Sequence, residues 1–139
     1  MATHIVDVEW TKDLTFEAHQ QGRSIKLMAS PHDDSEHRAI SPKMLLLTGL
    51  AGCTAIDVAS LLPKLRVGFT SLRVVVEGEL SDEHPKTYIN THIIYEVGCD
   101  QQYLEQVERA VELSVSKYCG VYAMLSKASE ITHQIRLVA

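Results

Sequence analysis

Residues 41–63, SPKMLLLTGLAGCTAIDVASLLP, contain the one stretch of this chain, Met44 to Leu62, that resembles a membrane span in length. Ser41 at an N-cap and Pro42 at the first helical position predict a helix start, because proline has no amide hydrogen to leave unpaired. Pro63 removes a backbone donor, so we expect the helix to end at about Leu62. Apolar residues occur on every side of this helix, which predicts burial by a sheet and by a second subunit.

A polar residue at the centre of this segment argues against a membrane span. Asp57 in lipid would cost about 2.5 to 3.5 kcal/mol on insertion scales, and no basic flank marks an orientation. We therefore interpret the segment as the long buried central helix of a soluble protein that does not contact a membrane.

The segments on either side predict an α+β fold. Alternating apolar and polar residues indicate strands, and apolar residues at helical spacing indicate two further helices. The order of strands, helix, hairpin, helices and strand favours antiparallel sheets around the central helix, in a single domain over residues 1–139. The predicted strands are 4–9, 14–18, 24–28, 70–80, 87–97 and 131–138, the predicted helices are 101–116 and 118–127, and 30–38 is a polar surface loop.

Composition excludes several classes of protein. The net charge of −5 over 139 residues gives no electrostatic footprint for nucleic acid or for an anionic membrane. Three widely spaced cysteines are too few for a disulfide-stapled secreted scaffold. Residues 1–10 lack the basic start and apolar core of a signal peptide, so we expect a cytoplasmic protein.

Cys53 is the first candidate for thiol chemistry. Gly49 and Gly52 precede it in the interior of the predicted helix, where each costs roughly 1 kcal/mol relative to alanine. A partner helix or a substrate must therefore come close to this face. Taken alone, the position allows two interpretations, a small core hydrophobe or a nucleophile.

Two further cysteines lie at the ends of predicted elements. Cys119 lies where one predicted helix ends and the next begins, and amide hydrogens there, together with Lys117, favour a thiolate. A half-buried structural thiol is the alternative interpretation of Cys119. Cys99 follows a strand and precedes Asp100, whose carboxylate disfavours a thiolate, so we assign Cys99 a structural role.

Other polar residues suggest neither a metal nor a cofactor. Asp57 lies four residues after Cys53 on the same helical face. A free carboxylate there would oppose ionisation of the thiol, so we expect a cation or backbone amides to pair with Asp57, which then orients the site. The seven histidines show no ligand spacing, and His32 and His37 lie in the polar loop. The chain has no phosphate-binding glycine loop, esterase elbow or zincin motif.

Four pieces of the sequence together resemble one known family. They are Ser41-Pro42, Gly52-Cys53-Thr54-Ala55-Ile56-Asp57, His84-Pro85 and Ser116-Lys117-Tyr118-Cys119. In this order and spacing they resemble the OsmC/Ohr family over nearly the whole chain, and within it the OsmC-like, YhfA-type branch.

The resemblance implies an intertwined homodimer in which two central helices pack together and each site draws on both chains. It implies that Cys53 attacks an organic hydroperoxide and becomes a sulfenic acid, that Cys119 then forms a disulfide with it, and that a lipoyl-type dithiol or another thiol reopens the disulfide. The protein would then be an organic hydroperoxide reductase of oxidative-stress defence that needs no cofactor and no metal.

The sequence departs from the family pattern at one point. Family peroxidases carry a glutamate in the first turn of the cysteine helix, which holds an arginine over the thiolate, whereas Lys43 and Met44 occupy those positions here. Candidate cations in this sequence are Arg23, Arg38, Lys12 and Lys43. A small-molecule binding protein or a redox sensor without efficient turnover is the alternative function.

Overall fold

Three antiparallel strands form the N-terminal sheet, in the order that the alternating sequence predicts: β1 (Val6–Lys12), β2 (Thr15–Gln20) and β3 (Arg23–Met28). The computed structural model describes every residue from Met1 to Ala139, and this sheet lies in the first of its two units, residues 1–46. Gln21 and Gly22 join β2 to β3 with φ angles of 49° and 78°. Two positive φ angles give a turn whose twist matches that of the paired strands.

The polar surface loop after β3 is present, and one of its acidic side chains anchors it, which no sequence pattern predicts. After a short 3₁₀ turn, Pro31–Asp33, the carboxylate of Asp34 is buried. It accepts hydrogen bonds from Lys26 Nζ at 2.6 Å and from the amides of Arg38 and Ala39 at 2.8 Å each. Asp34 therefore fixes the course of the chain from β3 to the central helix.

The central helix, α1, spans Met44–Lys64 and lies close to its predicted position. Its first residue is Met44, and a turn at residues 42–43 leads into it: Leu45 N–H donates to the carbonyls of Ser41 and Pro42 at 3.2 Å each. The predicted end at Leu62 is wrong by two residues, and Pro63 lies within the last turn. Proline removes only its own donor, so the helix continues to Lys64.

The second unit, residues 47–139, contains the predicted hairpin and a third strand. Strands β4 (Ser71–Leu80) and β5 (Tyr88–Gly98) are antiparallel, as predicted. Gly78 lies against the Tyr88 ring, where a β-carbon would come within 2.6 Å of a ring atom. Strand β6 (Glu130–Val138) pairs with β5 in parallel, so the expectation of purely antiparallel sheets fails at this one pairing. The helical segment between β5 and β6 is long enough to make the crossover that a parallel pair needs.

That crossover contains three kinds of helix where the sequence predicted one helix over 101–116 and a shorter one over 118–127. A 3₁₀ turn, Gln101–Tyr103, leads into α2 (Leu104–Leu113). A π-helix, Ser114–Tyr118, follows, and α3 (Gly120–Leu125) completes the segment. Apolar spacing identifies the helical region, but it does not distinguish a change from the α-helical to the wider π-helical hydrogen-bond pattern.

The hydrophobic core lies within the second unit. Helix α1 contributes an i, i+4 stripe of buried residues, and β5 contributes every second residue. The core comprises Leu50, Val58, Leu62, Val67, Ile93, Tyr95, Val97, Val107, Ala110, Val111 and Cys119.

The opposite face of α1 is exposed. Gly49, Gly52 and Ile56 lie on this face, and Ile56 is 72% exposed. The prediction that α1 is covered on every side therefore holds within one chain only for the side facing the core.

Helix α1 is long and apolar enough to cross a membrane by length and composition alone. Its polar residues, however, have partners inside the protein: Thr54 is fully buried and hydrogen-bonds to Tyr95 and Ser114. These contacts place one side of α1 in the core of the second unit.

Candidate active site

The structure brings together Cys53, Asp57 and Cys119. Their sulfur and carboxylate oxygen atoms all lie within 4.8 Å of one another. Cys53 and Asp57 share a face of α1 because they are four residues apart. Cys119 comes from the crossover segment and is buried, with 3% of its surface exposed, whereas Cys53 and Asp57 are half-buried.

The π-helix sets the position of Cys119. The Cys119 amide donates to the carbonyl of Ser114, five residues earlier, at 2.7 Å. This wider turn ends the helix at Cys119, whose backbone is extended with φ −80° and ψ 100°. Single π-turns in α-helices occur frequently at functional sites. Here the π-turn places Ser114 and Cys119 on the side of the crossover segment that faces Cys53 of α1.

A chain of hydrogen bonds reaches the site from the core. The hydroxyl of Thr54 lies 2.8 Å from Tyr95 Oη and 2.8 Å from Ser114 Oγ. Ser114 Oγ in turn donates to Asp57 Oδ2 at 2.8 Å. Since each hydroxyl has one hydrogen, an ionised Asp57 makes Thr54 donate to Ser114 and Tyr95 donate to Thr54. The network therefore holds the carboxylate in one orientation beside the thiols.

Burial keeps the Cys119 thiol protonated, which corrects the expectation of a favoured thiolate. Desolvation, followed by hydrogen bonding with Cys53, raises the pKa of Cys119 to about 11. The Tyr122 amide donates to the Cys119 sulfur at 3.4 Å and lowers the pKa, as a helix start should, but burial outweighs it. The Lys117 ammonium lies 5.3 Å from the centre of the Tyr118 ring instead.

Two other expectations are settled by direct contacts. The predicted cation or amide partner of Asp57 is wrong, because its partner is the Ser114 hydroxyl. Cys99 lies outside the cluster and packs against the core. Burial, and then the charge of Asp100, raises the pKa of Cys99, in agreement with the expectation that it is not a thiolate.

The candidate cations all belong to the first unit, whereas the thiols belong to the second. Lys43 precedes the first residue of α1, and Met44 is that residue. Arg23 donates to the carbonyl of Gln21 at 3.2 Å. The assignment of one of these groups to the thiolate stays a prediction, as does the catalytic role of each cysteine.

A family model described as OsmC-like protein matches residues 32–134, three quarters of the chain. The chain belongs to the OsmC-like family. Protein YhfA of Escherichia coli strain K12 is 39% identical over 134 residues, which cover 95% of this chain and 96% of YhfA.

Solved OsmC-like structures share the fold. An OsmC like protein from Mycoplasma pneumoniae has a TM-score of 0.82 and 17% identity, with 99% of both chains covered. An organic hydroperoxide resistance protein OsmC from Legionella pneumophila has a TM-score of 0.67 and 14% identity, with 98% of both chains covered. These structures show the shared fold, and the family model together with the similarity to YhfA confirms the family resemblance inferred from the four sequence pieces.

Sequence reasoning missed three members of the site: Thr54, Tyr95 and Ser114. The signal for Ser114 was present, because it follows Val107 and Val111 in the apolar stripe of the crossover helix. A serine in such a stripe is buried and needs a hydrogen-bond partner. The identity of that partner depends on the packing of α2 against α1, which no local pattern encodes.

Proposed function

We propose that the protein is a thiol-dependent peroxidase that reduces organic hydroperoxides. The observation that carries this proposal is the pair of free thiols, Cys53 and Cys119, whose sulfurs lie within 4.8 Å. Cys53 is half-buried and Cys119 is buried, so substrate reaches Cys53 first. The name of the Legionella pneumophila neighbour, organic hydroperoxide resistance protein, supports the substrate class.

The reaction has three balanced steps. The Cys53 thiolate attacks the O–O bond of ROOH and is oxidised to Cys53–SOH, while the departing alkoxide takes a proton and leaves as ROH. The Cys119 thiol then attacks Cys53–SOH, which forms the disulfide and releases water. A dithiol of the lipoyl type, or another thiol reductant, reduces the disulfide to two thiols and is itself oxidised to a disulfide.

Disulfide formation requires only a local movement. A disulfide bond is about 2.05 Å long, so the sulfurs must close a gap of less than 3 Å. Cys119 lies between the π-helix and the six-residue helix α3, where a change in backbone angles disturbs little regular structure. The raised pKa of Cys119 keeps it from competing with Cys53 for the hydroperoxide, because the thiolate and not the thiol is the nucleophile.

We propose that the protein acts as a homodimer in the cytoplasm, each chain forming a single domain over residues 1–139. Support for the dimer comes from exposed apolar side chains, which include Ile56 on α1 and Trp10 on β1, the latter 63% exposed. Large apolar patches on a soluble protein mark interaction surfaces. A β-carbon added at Gly49 or Gly52 would meet no atom within 4 Å, so a second α1 has room to approach this face.

The proposal is tested by adding cumene hydroperoxide to the reduced protein and following free thiols and intact mass. We expect loss of two thiols per chain and a mass decrease of about 2 Da from the disulfide. Cys53→Ser should abolish the reaction, and Cys119→Ser should stop it at the sulfenic acid. Cys99→Ser is the matched control and should react like the wild type. An unmodified Cys53 after exposure to excess hydroperoxide would refute the peroxidase.

The activating cation is tested by replacing Lys12, Arg23, Arg38 and Lys43 with alanine, one at a time. Loss of one preorganised oxyanion-hole donor costs about 2.7 to 4 kcal/mol in acyl-transfer enzymes, or about 10²–10³ in rate, and a cation that stabilises the departing alkoxide should contribute a similar amount. We expect one of the four variants to lose that much rate and the other three to retain theirs. Second-order rate constants for Cys53 oxidation provide the measurement.

A redox sensor or small-molecule binding protein is the second candidate, favoured by Asp57. Its carboxylate lies beside both sulfurs and adds to the effect of burial in raising the pKa of Cys119, and Lys43 and Met44 replace the expected glutamate. A sensor is oxidised once and turns over slowly with a dithiol, whereas a peroxidase recycles. A binding protein shows ligand-dependent thermal stabilisation that survives Cys53→Ser. Steady-state turnover with dihydrolipoamide separates these functions.

A further inference from the structure

We infer that the reduced protein binds a thiophilic divalent cation of the Zn²⁺ type through Cys53, Cys119 and Asp57, and that oxidation to the disulfide abolishes this site. The inference rests on the geometry of the three side chains and on the chemistry of their donor atoms. It goes beyond the proposed peroxidase activity, because metal binding needs neither hydroperoxide nor reductant.

The donor set and its spacing suit zinc. Zinc in proteins takes thiolate ligands at about 2.3 Å and carboxylate ligands at about 2.0 to 2.2 Å, in tetrahedral geometry. Donor atoms in such a site are about 3.6 to 3.8 Å apart. The three donor atoms here already lie within 4.8 Å of one another. Side-chain rotations that move each atom by about 1 Å or less would bring all three onto one ion.

The surroundings hold two of the ligands in place. Ser114 donates to Asp57 Oδ2 at 2.8 Å, which is the outer hydrogen bond that metal-ligating carboxylates usually receive. In the reduced protein the Cys119 amide donates a hydrogen bond to the carbonyl of Ser114 at 2.7 Å, which positions Cys119. Cys53 and Asp57 are half-buried, so an ion can enter from the side of α1. Three protein ligands leave the fourth position open to water or a small ligand.

A bound cation also compensates the charge that ligation creates. Ligation deprotonates both thiols, and two thiolates beside the Asp57 carboxylate would repel each other without a cation, since the partner of Asp57 is a neutral hydroxyl. A divalent ion at the centre of the three groups compensates two of the three negative charges. The carboxylate that hinders thiolate chemistry in the metal-free protein thus becomes a ligand.

Metal and disulfide are alternative states of the same two sulfurs. On binding, the two thiols release two protons, and Zn²⁺ takes their place without any change of oxidation state. Oxidation removes two electrons from the pair of thiolates and transfers them to ROOH. With two protons from solvent, the products are the disulfide, ROH, H₂O and free Zn²⁺. Bound zinc should therefore protect both thiols, and the disulfide should have no affinity for zinc.

The test is titration of the reduced, metal-free protein with Zn²⁺ against a chromophoric chelator, alongside four variants. We expect one ion per chain. Cys53→Ser and Cys119→Ser should each weaken binding at least 100-fold, and Asp57→Asn at least 10-fold. Cys99→Ser and Asp100→Asn are the matched controls, and their affinity should stay within twofold of the wild type. In the Co²⁺-loaded protein, thiolate-to-metal absorption should fall by about half in either cysteine variant that still binds Co²⁺.

A second measurement uses only the wild-type protein, so its outcome does not depend on whether a variant folds. The wild type, oxidised with diamide to its Cys53–Cys119 disulfide, should bind no Zn²⁺ and should recover binding on reduction. Equal affinity of Asp57→Asn and wild type, loss of binding in Cys99→Ser, or zinc bound to the disulfide form would each overturn the inference. Since diamide replaces hydroperoxide, a protein without peroxidase activity can still pass this test, and an active peroxidase can fail it.

Discussion

The two units of this chain are stabilised in different ways. The second unit, residues 47–139, contains the whole hydrophobic core, whereas the first unit, residues 1–46, buries only Thr15, Leu27 and Asp34. A three-stranded sheet needs an apolar face against another surface for stability. The apolar residues of the first unit are therefore mostly exposed within one chain, whereas those of the second unit are packed in the core. The large exposed apolar side chains of the first unit include Ile5, Val6, Val8, Trp10, Leu14 and Ile25.

The largest stability effect should come from the core of the second unit. Leu50 is fully buried at the centre of α1, so Leu50→Ala should lower the free energy of unfolding by about 2 to 5 kcal/mol. In the first unit Leu14 is 69% exposed, and Leu14→Ala should change the free energy of unfolding by less than about 0.5 kcal/mol. Urea unfolding of both variants at equal concentration checks the contrast. A cost at Leu14 close to that at Leu50 would contradict the exposure of the first unit and show that another surface covers it.

A smaller effect should come from the polar network in the same core. Thr54→Val removes the hydroxyl that links Tyr95 to Ser114 and leaves both groups buried. An unsatisfied buried group costs about 1 to 3 kcal/mol, so we expect destabilisation in that range. Thr54→Ser keeps the hydroxyl and serves as the matched control, with most of the stability retained. Equal losses in both variants would assign the effect to the threonine methyl group rather than to the hydrogen bonds.

The sequence predicts the elements of this fold better than it predicts their contacts. Alternation and helical spacing identify all six strands, the central helix and the helical crossover, because these periods report which side of each element is buried. The proximity of Cys53 and Cys119 was accessible only through the family resemblance. The two cysteines are far apart in the sequence and become neighbours only because the crossover packs against α1. No local sequence pattern predicts that packing.

Three features of the structure could not be predicted from the sequence, each for a different physical reason. The parallel pairing of β6 depends on where the crossover returns the chain to the sheet, and strand composition does not distinguish it from antiparallel pairing. The π-helix at Ser114–Tyr118 preserves helical apolar spacing and so resembles an ordinary helix. Asp34 looks like any other acidic residue of the loop, because its anchoring role depends on amides that face it only after folding.

Acid should weaken the first unit before the second, because Asp34, which anchors the loop of the first unit, acts through its charge. The hydrogen bond from Lys26, followed by the amide of Arg38, holds the pKa of Asp34 well below its usual range. A carboxyl with a depressed pKa stabilises the fold above its unfolded pKa of about 3.9, and this contribution is lost as the pH falls toward the folded value. We expect amide exchange at Arg38 and Ala39 to lose protection below about pH 4, while amides of β5 stay protected. Asp34→Asn should produce the same local loss at pH 7, and simultaneous loss of protection at Arg38, at Ala39 and in β5 would contradict a local role of Asp34.

The smallest predicted change in stability is the most direct test of whether a second chain covers the exposed face of α1. Gly52 lies in the helix interior, where alanine is favoured by roughly 0.5 to 1 kcal/mol, and its added β-carbon would meet no atom within 4 Å in a single chain. If that face stays open, Gly52→Ala should raise the free energy of unfolding by that amount at every protein concentration. If a second α1 packs there, the β-carbon meets the partner helix, so the gain should disappear or reverse and the midpoint should depend on concentration. Gly49→Ala, three residues earlier on the same face, should behave in the same way. A stabilising Gly52→Ala in a protein that sediments as a monomer would remove the physical basis for the helix-mediated dimer, because the glycine would then have no close approach to explain it.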